Sequence, residues 1–257
     1  MAHWIRFTPA GEATGFGALK QDRIEEYAGD LFGPKQPTGR TLALDAVRVE
    51  SPCQPTKVVA LWNNFRALGE KLGKAAPAHP LYLLKPASSV IGTGAAIRRP
   101  PAYAGKIAYE GELGIVIGRR CTDASADEAE ACIFGYTCIN DVTATELLNE
   151  NPDFPQWTRS KSPDTFCCVG PAIATAIDLA SGRVVTTLDG TERQNYPLAD
   201  MIFTPRELVS RISQDMTLLP GDVIACGTSI GVGSMKDGAT VCIRIDGIGE
   251  LRNRLGG

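Results

Sequence analysis

Hydrophobic positions repeat mainly at the two-residue period of β-strands along this chain. In the stretch YEGELGIVIG, residues 109–118, the odd positions from 113 to 117 are all leucine or isoleucine. Because successive side chains of a strand point to opposite faces, Glu110 and Glu112 are predicted to share the other face. The stretch is therefore expected to pack one face on a core and to carry paired negative charge on the second.

Further strands are predicted at LYLL, IFGYTCIN, RVVTTLDG and TVCIRIDGIGELR, and the last contains Asp246–Gly247 as a hairpin turn. The first fifty residues alternate short apolar pieces with turn formers such as GPKQPTG. This pattern predicts a small N-terminal β-rich unit over residues 1–54 and a larger domain over residues 55–257.

Few helices are predicted, and they are short. SADE at 125–128 and TPRE at 204–207 both fit the capping box, the second with proline at the first helical position. NNFRALGEKLG predicts either a short helix, capped by Asn63 or Asn64 and ended by Gly73, or a mobile lid. Many short strands with a few brief helices predict an α+β, mostly β fold rather than repeated βαβ units.

Composition narrows the classes of function. The 257 residues include 26 Lys+Arg against 29 Asp+Glu, a net charge of −3, which gives no basic surplus for nucleic acid or an anionic membrane as the main partner. The chain start does not resemble a signal peptide, and no run of eighteen apolar residues occurs, so a soluble cytoplasmic protein is expected. The eight cysteines are predicted to be free thiols, and two histidines leave few ligands for a zinc site of Cys/His type.

A possible nucleophile motif is rejected. GTSIG at 227–231 matches G-x-S-x-G, which would expose Ser229, but the histidine follows the serine in that fold. Here His3 and His79 both precede it, so the stretch is interpreted as a tight glycine turn.

Three carboxylates are more informative. Asp141 closes the predicted strand IFGYTCIND and, with Glu110 and Glu112, offers three oxygen donors of the kind that Mg²⁺, Mn²⁺ or Ca²⁺ prefers. From the residues alone, a solvated strand face explains the glutamates equally well, and a solvated loop explains Asp141. Lys161 by itself indicates no more than solubility, while Thr228 lies in a glycine-rich loop whose backbone amides could face an anion.

Four blocks in order resemble the fumarylacetoacetate hydrolase superfamily, over roughly residues 55–255: YEGELGIVIG, GYTCINDVTA, KSPDTFCCVGP and LLPGDVIACGTSIGVG. Among its subgroups the chain is most similar to bacterial proteins of the 2-hydroxyhepta-2,4-diene-1,7-dioate isomerase and acylpyruvate hydrolase type. The resemblance implies a mixed β-roll, a homodimer and one divalent metal, Mg²⁺ or Mn²⁺, in each active site.

The resemblance also assigns roles to individual residues. It implies that Glu110, Glu112 and Asp141 are the metal ligands. It places Lys161 beside the metal, where it stabilises developing negative charge, and it implies that Thr228 contacts a substrate oxygen or carboxylate.

The chain departs from the family pattern at two places. Where hydrolases and decarboxylases of the family carry a lid histidine and glutamate, this chain has Leu68 and Lys71, with Glu70 one position away. Where the family often carries an arginine and a glutamine that hold the substrate carboxylate, it has Thr145 and Leu148. The first change removes the usual group for activating water, and the second removes the usual carboxylate clamp.

The resemblance therefore implies a metal-dependent enzyme that acts on a small 2-oxo or 2-hydroxydienoic acid of aromatic catabolism, including diacids. Isomerisation or decarboxylation through an enolate is favoured, because neither needs an activated water. One alternative is an acylpyruvate-type C–C hydrolase in which Glu70 or Arg66 replaces the lost lid group. Another is a family member that binds metal but has lost catalysis.

Overall fold

Short strands dominate residues 1–256, the part of the chain that this computed structural model describes. The strands are β1 (His3–Pro9), β2 (Gly15–Lys20), β3 (Arg23–Gly29), β4 (Lys35–Ala43), β5 (Val47–Val49), β6 (Lys57–Trp62), β7 (Leu81–Pro86), β8 (Val90–Ile91), β9 (Ala96–Ile97), β10 (Ile107–Tyr109), β11 (Gly111–Ile117), β12 (Ile133–Asp141), β13 (Thr143–Ala144), β14 (Cys167–Ala174), β15 (Arg183–Leu188), β16 (Thr191–Pro197), β17 (Val223–Ala225), β18 (Gly233–Met235), β19 (Thr240–Ile245) and β20 (Gly249–Leu255). The helices are α1 (Arg66–Lys71), α2 (Ala126–Glu130), α3 (Thr145–Leu148), α4 (Trp157–Lys161) and α5 (Pro205–Asp215). The predicted α+β, mostly β class is confirmed.

These strands form three sheets, of which the two larger ones are mixed and the smallest is antiparallel. The largest runs in the order β4-β3-β2-β1-β14-β12-β11-β17-β6-β7, with β5 beside β1 and β8 beside β14. A five-stranded sheet has the order β16-β15-β19-β20-β9, and a three-stranded sheet has the order β13-β10-β18. Strand β1 pairs with β14, so the N-terminal strands extend the same sheet that contains β11 and β12.

Strand β11 lies at the centre of the large sheet and is buried on both faces. Leu113, Ile115 and Ile117 pack in one apolar cluster together with residues of β19 and α5. Val116 packs in a second cluster with residues of β6, β12 and β17. The face predicted to carry paired negative charge therefore does so only at its start, with Glu110 and Glu112, because a second apolar cluster covers the same face at Val116.

The other predicted strands are confirmed, and Asp246–Gly247 lies in the turn between β19 and β20. Capping boxes precede α2 and α5 as predicted. Helix α1 ends before Gly73, whose φ of +64° is left-handed. Its N-cap is Phe65 and not Asn63 or Asn64, because the two asparagine side chains are bonded to the backbone of residues elsewhere in the fold.

All eight cysteines are buried free thiols, as predicted. None of the helices within residues 1–256 combines the length and the apolar character needed to span a bilayer.

Candidate metal centre

Two adjacent strands bring the three predicted carboxylates together. Strands β11 and β12 pair antiparallel with Gly111 opposite Asn140, and the Asp141 N–H donates to the Glu110 carbonyl at 2.9 Å. Opposite residues of such a pair point to the same face, so Glu110 and Asp141 meet and Glu112 follows on that face. One carboxylate oxygen from each of the three lies within 4.8 Å of the other two.

The cluster is almost closed to solvent. Glu112 has no exposed surface and Asp141 is 1% exposed, while the Glu110 side chain is 17% exposed. Solvated positions for Glu112 and Asp141 are therefore excluded.

Glu112 is the carboxylate with an unsatisfied oxygen. Its Oε2 accepts the Gly227 N–H at 2.8 Å, whereas its Oε1 is buried without a hydrogen-bond partner. Burial, with the charges of Asp141 and Glu110, raises the pKa of Glu112 well above its ordinary value. Such an orphaned oxygen in an all-carboxylate donor set fits a hard divalent cation, which would favour the ionised form. Gly227 has a left-handed backbone, with φ of +88°, a conformation that glycine adopts without strain. The glycine therefore allows its N–H to reach and orient the Glu112 carboxylate.

Lys161 lies against the same carboxylates. It is the last residue of α4, is 3% exposed, and places Nζ 2.7 Å from Asp141 Oδ2 and 2.8 Å from Glu110 Oε1. Burial lowers the pKa of Lys161, but the charges of Asp141 and Glu110 outweigh burial and raise it above the ordinary value. The side chain is therefore a buried cation and not the exposed, solubilising lysine that the isolated sequence pattern allowed.

A second buried lysine, which was not predicted from the sequence, also contacts Asp141. Lys85 on β7 has no exposed surface, and its Nζ donates to Asp141 Oδ1 at 2.5 Å and to the Val142 carbonyl at 3.3 Å. Although burial raises the pKa of Asp141, the charges of Lys161 and Lys85 lower it below its ordinary value. The available signal was the strand period, since Lys85 shares a face with Leu83, but the predicted strand LYLL ended two residues before the observed end at Pro86.

Thr228 is fixed beside the cluster. Its hydroxyl donates to the Gly111 carbonyl at 3.0 Å and accepts from Gln194 Nε2 at 2.8 Å. Gln194 accepts the Gly111 N–H at 3.0 Å through Oε1. This residue was also not predicted from the sequence. Thr143 donates to Glu110 Oε1 at 2.6 Å. These bonds fix the backbone between the two glutamates and orient one of the carboxylates.

A cavity of about 220 Å³ adjoins the carboxylates and has walls of two kinds. Its polar lining residues are Glu110, Asp141, Thr143, Lys161 and Thr228. Its apolar lining residues are Leu61, Trp62, Leu68, Leu83, Leu148, Trp157 and Val232. Leu68 and Leu148, the residues at two departures from the family pattern, thus face the same space.

Other predicted site residues do not reach this cavity. Glu70 is exposed on α1 and is not among the lining residues. Arg66 donates to the Met201 carbonyl at 2.5 Å and to the Asp200 carbonyl at 3.2 Å. Thr145 donates to the Lys106 carbonyl at 3.2 Å. The geometry therefore gives no support for Glu70 or Arg66 as a replacement for the lid histidine.

The fold and the acidic cluster define a β-rich protein in which three carboxylates that fit a hard divalent cation lie beside a small cavity. Residues 57–256 match the family described as fumarylacetoacetate (FAA) hydrolase, C-terminal, and residues 2–52 match the family described as Rv2993c-like, N-terminal. The chain therefore belongs to the fumarylacetoacetate hydrolase family, which confirms the resemblance.

Relatives of this chain include a mycobacterial protein without an activity in its name and two proteins that are named for an activity. Protein Rv2993c of Mycobacterium tuberculosis is 42% identical over 92% of this chain and 89% of its own length. The oxaloacetate tautomerase YisK of Bacillus subtilis is 34% identical over 83% of this chain and 75% of its own length. The crystal structure of a 2-hydroxyhepta-2,4-diene-1,7-dioate isomerase from Mycobacterium marinum superimposes with a TM-score of 0.90 at 37% identity, over 100% of this chain and 98% of that one.

Proposed function

We propose that the chain is a divalent-metal-dependent isomerase that interconverts the keto and enol forms of a 2-oxo acid. The observation that carries this proposal is the buried set of Glu110, Glu112 and Asp141 with Lys161 bonded to two of them. The names of relatives, a tautomerase and an isomerase, support the same reaction class.

In this reaction a proton would leave C3 for water, which reaches the open side of the cavity at Val232 (41% exposed), and the enolate oxygen would take a proton from water in return. The groups of the site then have the following tasks. The three carboxylates would hold Mg²⁺ or Mn²⁺, which supplies a Lewis acid for the keto oxygen when bound. Lys161 carries a buried positive charge beside the position where the enolate develops, and such a preorganised charge lowers the barrier. Thr143 keeps the Glu110 carboxylate in one orientation through its hydrogen bond.

Isomerisation is favoured over hydrolysis because the cavity lacks a group that activates water. No histidine is among the residues that line it within the described part of the chain, and Glu70 is exposed on α1, outside the lining. Decarboxylation through an enolate also needs no activated water, so CO₂ release is the parallel measurement.

The proposal is tested by exchange of the C3 hydrogens of 2-oxo acids for deuterium, followed by NMR with Mg²⁺ present. Glu112→Gln removes a charged ligand with little change of shape, and we expect it to weaken metal binding and exchange by about 100-fold or more. Glu130→Gln, at an exposed glutamate of α2, is the matched control and should behave as the unaltered protein. The metal mechanism would be refuted by a deuterium-exchange rate that a chelator leaves unchanged. Full exchange activity together with unchanged metal affinity in Glu112→Gln would refute it as well.

The same assay separates the alternatives. Glu70→Gln should retain turnover, whereas a loss of acylpyruvate cleavage in that variant would favour the C–C hydrolase. A protein that binds metal but catalyses neither exchange, CO₂ release nor cleavage would be the catalytically impaired member.

A further inference from the structure

We propose that the substrate is a 2-oxo monocarboxylate with a short apolar side chain rather than a dicarboxylate. This inference rests on the function proposed above and adds the class of substrate. It depends on the apolar lining of the cavity and on the charges around Asp141.

Most of the cavity wall is hydrocarbon. Leu68 of α1 and Leu148 at the end of α3 face it together with Trp62 and Trp157, whose ring centroids lie 6.2 Å apart. A substrate whose 2-oxo acid end lies at the carboxylate cluster would place its remaining atoms against leucine and tryptophan. Burial of apolar atoms there is favourable, whereas burial of a carboxylate without a partner is costly.

No second cation is available for a second carboxylate. Among residues 1–256, Lys161 is the one cationic side chain that lines the cavity, and it is already bonded to Glu110 and Asp141. Arg66 is bonded to backbone carbonyls.

The charge of the loaded centre matches a single carboxylate. Three carboxylates, the ammonium groups of Lys161 and Lys85 and one divalent cation give a net charge of +1. A monoanion neutralises this charge, while the additional charge of a dianion would remain uncompensated among apolar side chains. The volume of about 220 Å³ is smaller than the roughly 300 to 1,000 Å³ of pockets for drug-sized ligands, so the side chain is short.

The test compares 2-oxopentanoate with 2-oxopentanedioate, which differ only in a terminal methyl group and a terminal carboxylate. Binding to the Mg²⁺-loaded protein is measured by titration calorimetry, and deuterium exchange at C3 is measured in parallel. We expect the monoacid to bind at least about tenfold more tightly, since the leucine and tryptophan side chains of the lining favour a terminal methyl group and give a terminal carboxylate no cationic partner. In Leu148→Arg the diacid should gain affinity and the preference should reverse.

Leu72→Arg is the matched control, because Leu72 is 49% exposed at the end of α1 and lies outside the cavity lining; it should leave the preference unchanged. Diacid binding that equals or exceeds monoacid binding in the unaltered protein would overturn this inference alone. Failure of both acids to bind the metal-loaded protein would overturn the proposed function together with it. An unchanged preference in a folded Leu148→Arg would contradict the assignment of Leu148.

Discussion

At the scale of single residues, Asp141 is bonded by two buried lysines, one on each carboxylate oxygen. Lys161 contacts Oδ2 and Lys85 contacts Oδ1. A carboxylate has about four lone-pair sites on its two oxygens, so both lysine bonds leave room for a metal ligand bond. The two lysines offset much of the repulsion among three neighbouring carboxylates, which otherwise opposes folding.

Replacement of Lys85 tests this balance. Lys85→Met keeps the length of the side chain but removes its charge, and we expect the metal-free protein to lose about 2 to 4 kcal/mol of unfolding free energy. The loss is below that of a fully unpaired charge, because Lys161 still contacts Asp141. Urea unfolding measures it. Lys20→Met, at an exposed lysine paired with Glu25, is the control and should change little; equal effects of both substitutions would contradict a special role of Lys85.

At the scale of elements, the strand period alone placed Glu110 and Glu112 on one face. The contact of Asp141 with Glu110 depends on the register between β11 and β12, which links residues about thirty positions apart and is not encoded in either local pattern. Lys161 follows the same logic, because its burial depends on where the short helix α4 packs. The four ordered sequence blocks gave these residues only through resemblance to a family.

The apolar lining of the cavity could not be predicted from the sequence. Leu68 and Leu148 were recognisable as departures, but their convergence on one cavity depends on tertiary packing of α1 and α3. The predicted N-cap of α1 was wrong for a related reason. Asn64 forms hydrogen bonds with the backbone of Phe203 and Cys226, which are far away in sequence. Local capping preference was outweighed by these long-range bonds.

Helix α4 carries Lys161, and one hydrogen bond anchors it. The buried Ser160 hydroxyl donates to the Ala144 carbonyl at 2.9 Å, so Ser160→Ala should cost about 1 to 2 kcal/mol and slow deuterium exchange through displacement of Lys161. Ser162→Ala is a matched control two residues away, because the Ser162 hydroxyl is buried without a partner. Urea unfolding and exchange rates of both variants provide the measurement; a Ser162→Ala effect as large as that of Ser160→Ala would contradict this anchor.

At the scale of the whole molecule, cation binding by the proposed ligands should be coupled to folding, because these three carboxylates come from strands that meet only in the folded chain. At a free ion concentration about 100 times its dissociation constant, binding adds about 2.7 kcal/mol to the unfolding free energy. For a chain of this size, that corresponds to a rise in Tm of about 5 to 10 °C. Calorimetric scans with and without Mn²⁺ should show this rise, and Glu112→Gln should lose it while Glu130→Gln keeps it.

The stabilisation by the cation should also depend on pH, with a sign set by Glu112. Folding raises the pKa of this carboxyl above 4.5 through burial and the charges of Asp141 and Glu110. The metal-free protein therefore loses stability as the pH rises through the raised pKa and regains it as the pH falls. Metal binding requires the ionised carboxylate of Glu112. The stabilisation of the folded protein by the metal should therefore decline as the pH falls. The difference in Tm between Mn²⁺-loaded protein and protein freed of metal by dialysis should thus be largest near neutral pH and shrink towards pH 4.5. A difference that stays constant over this range would contradict the coupling between protonation of Glu112 and metal binding.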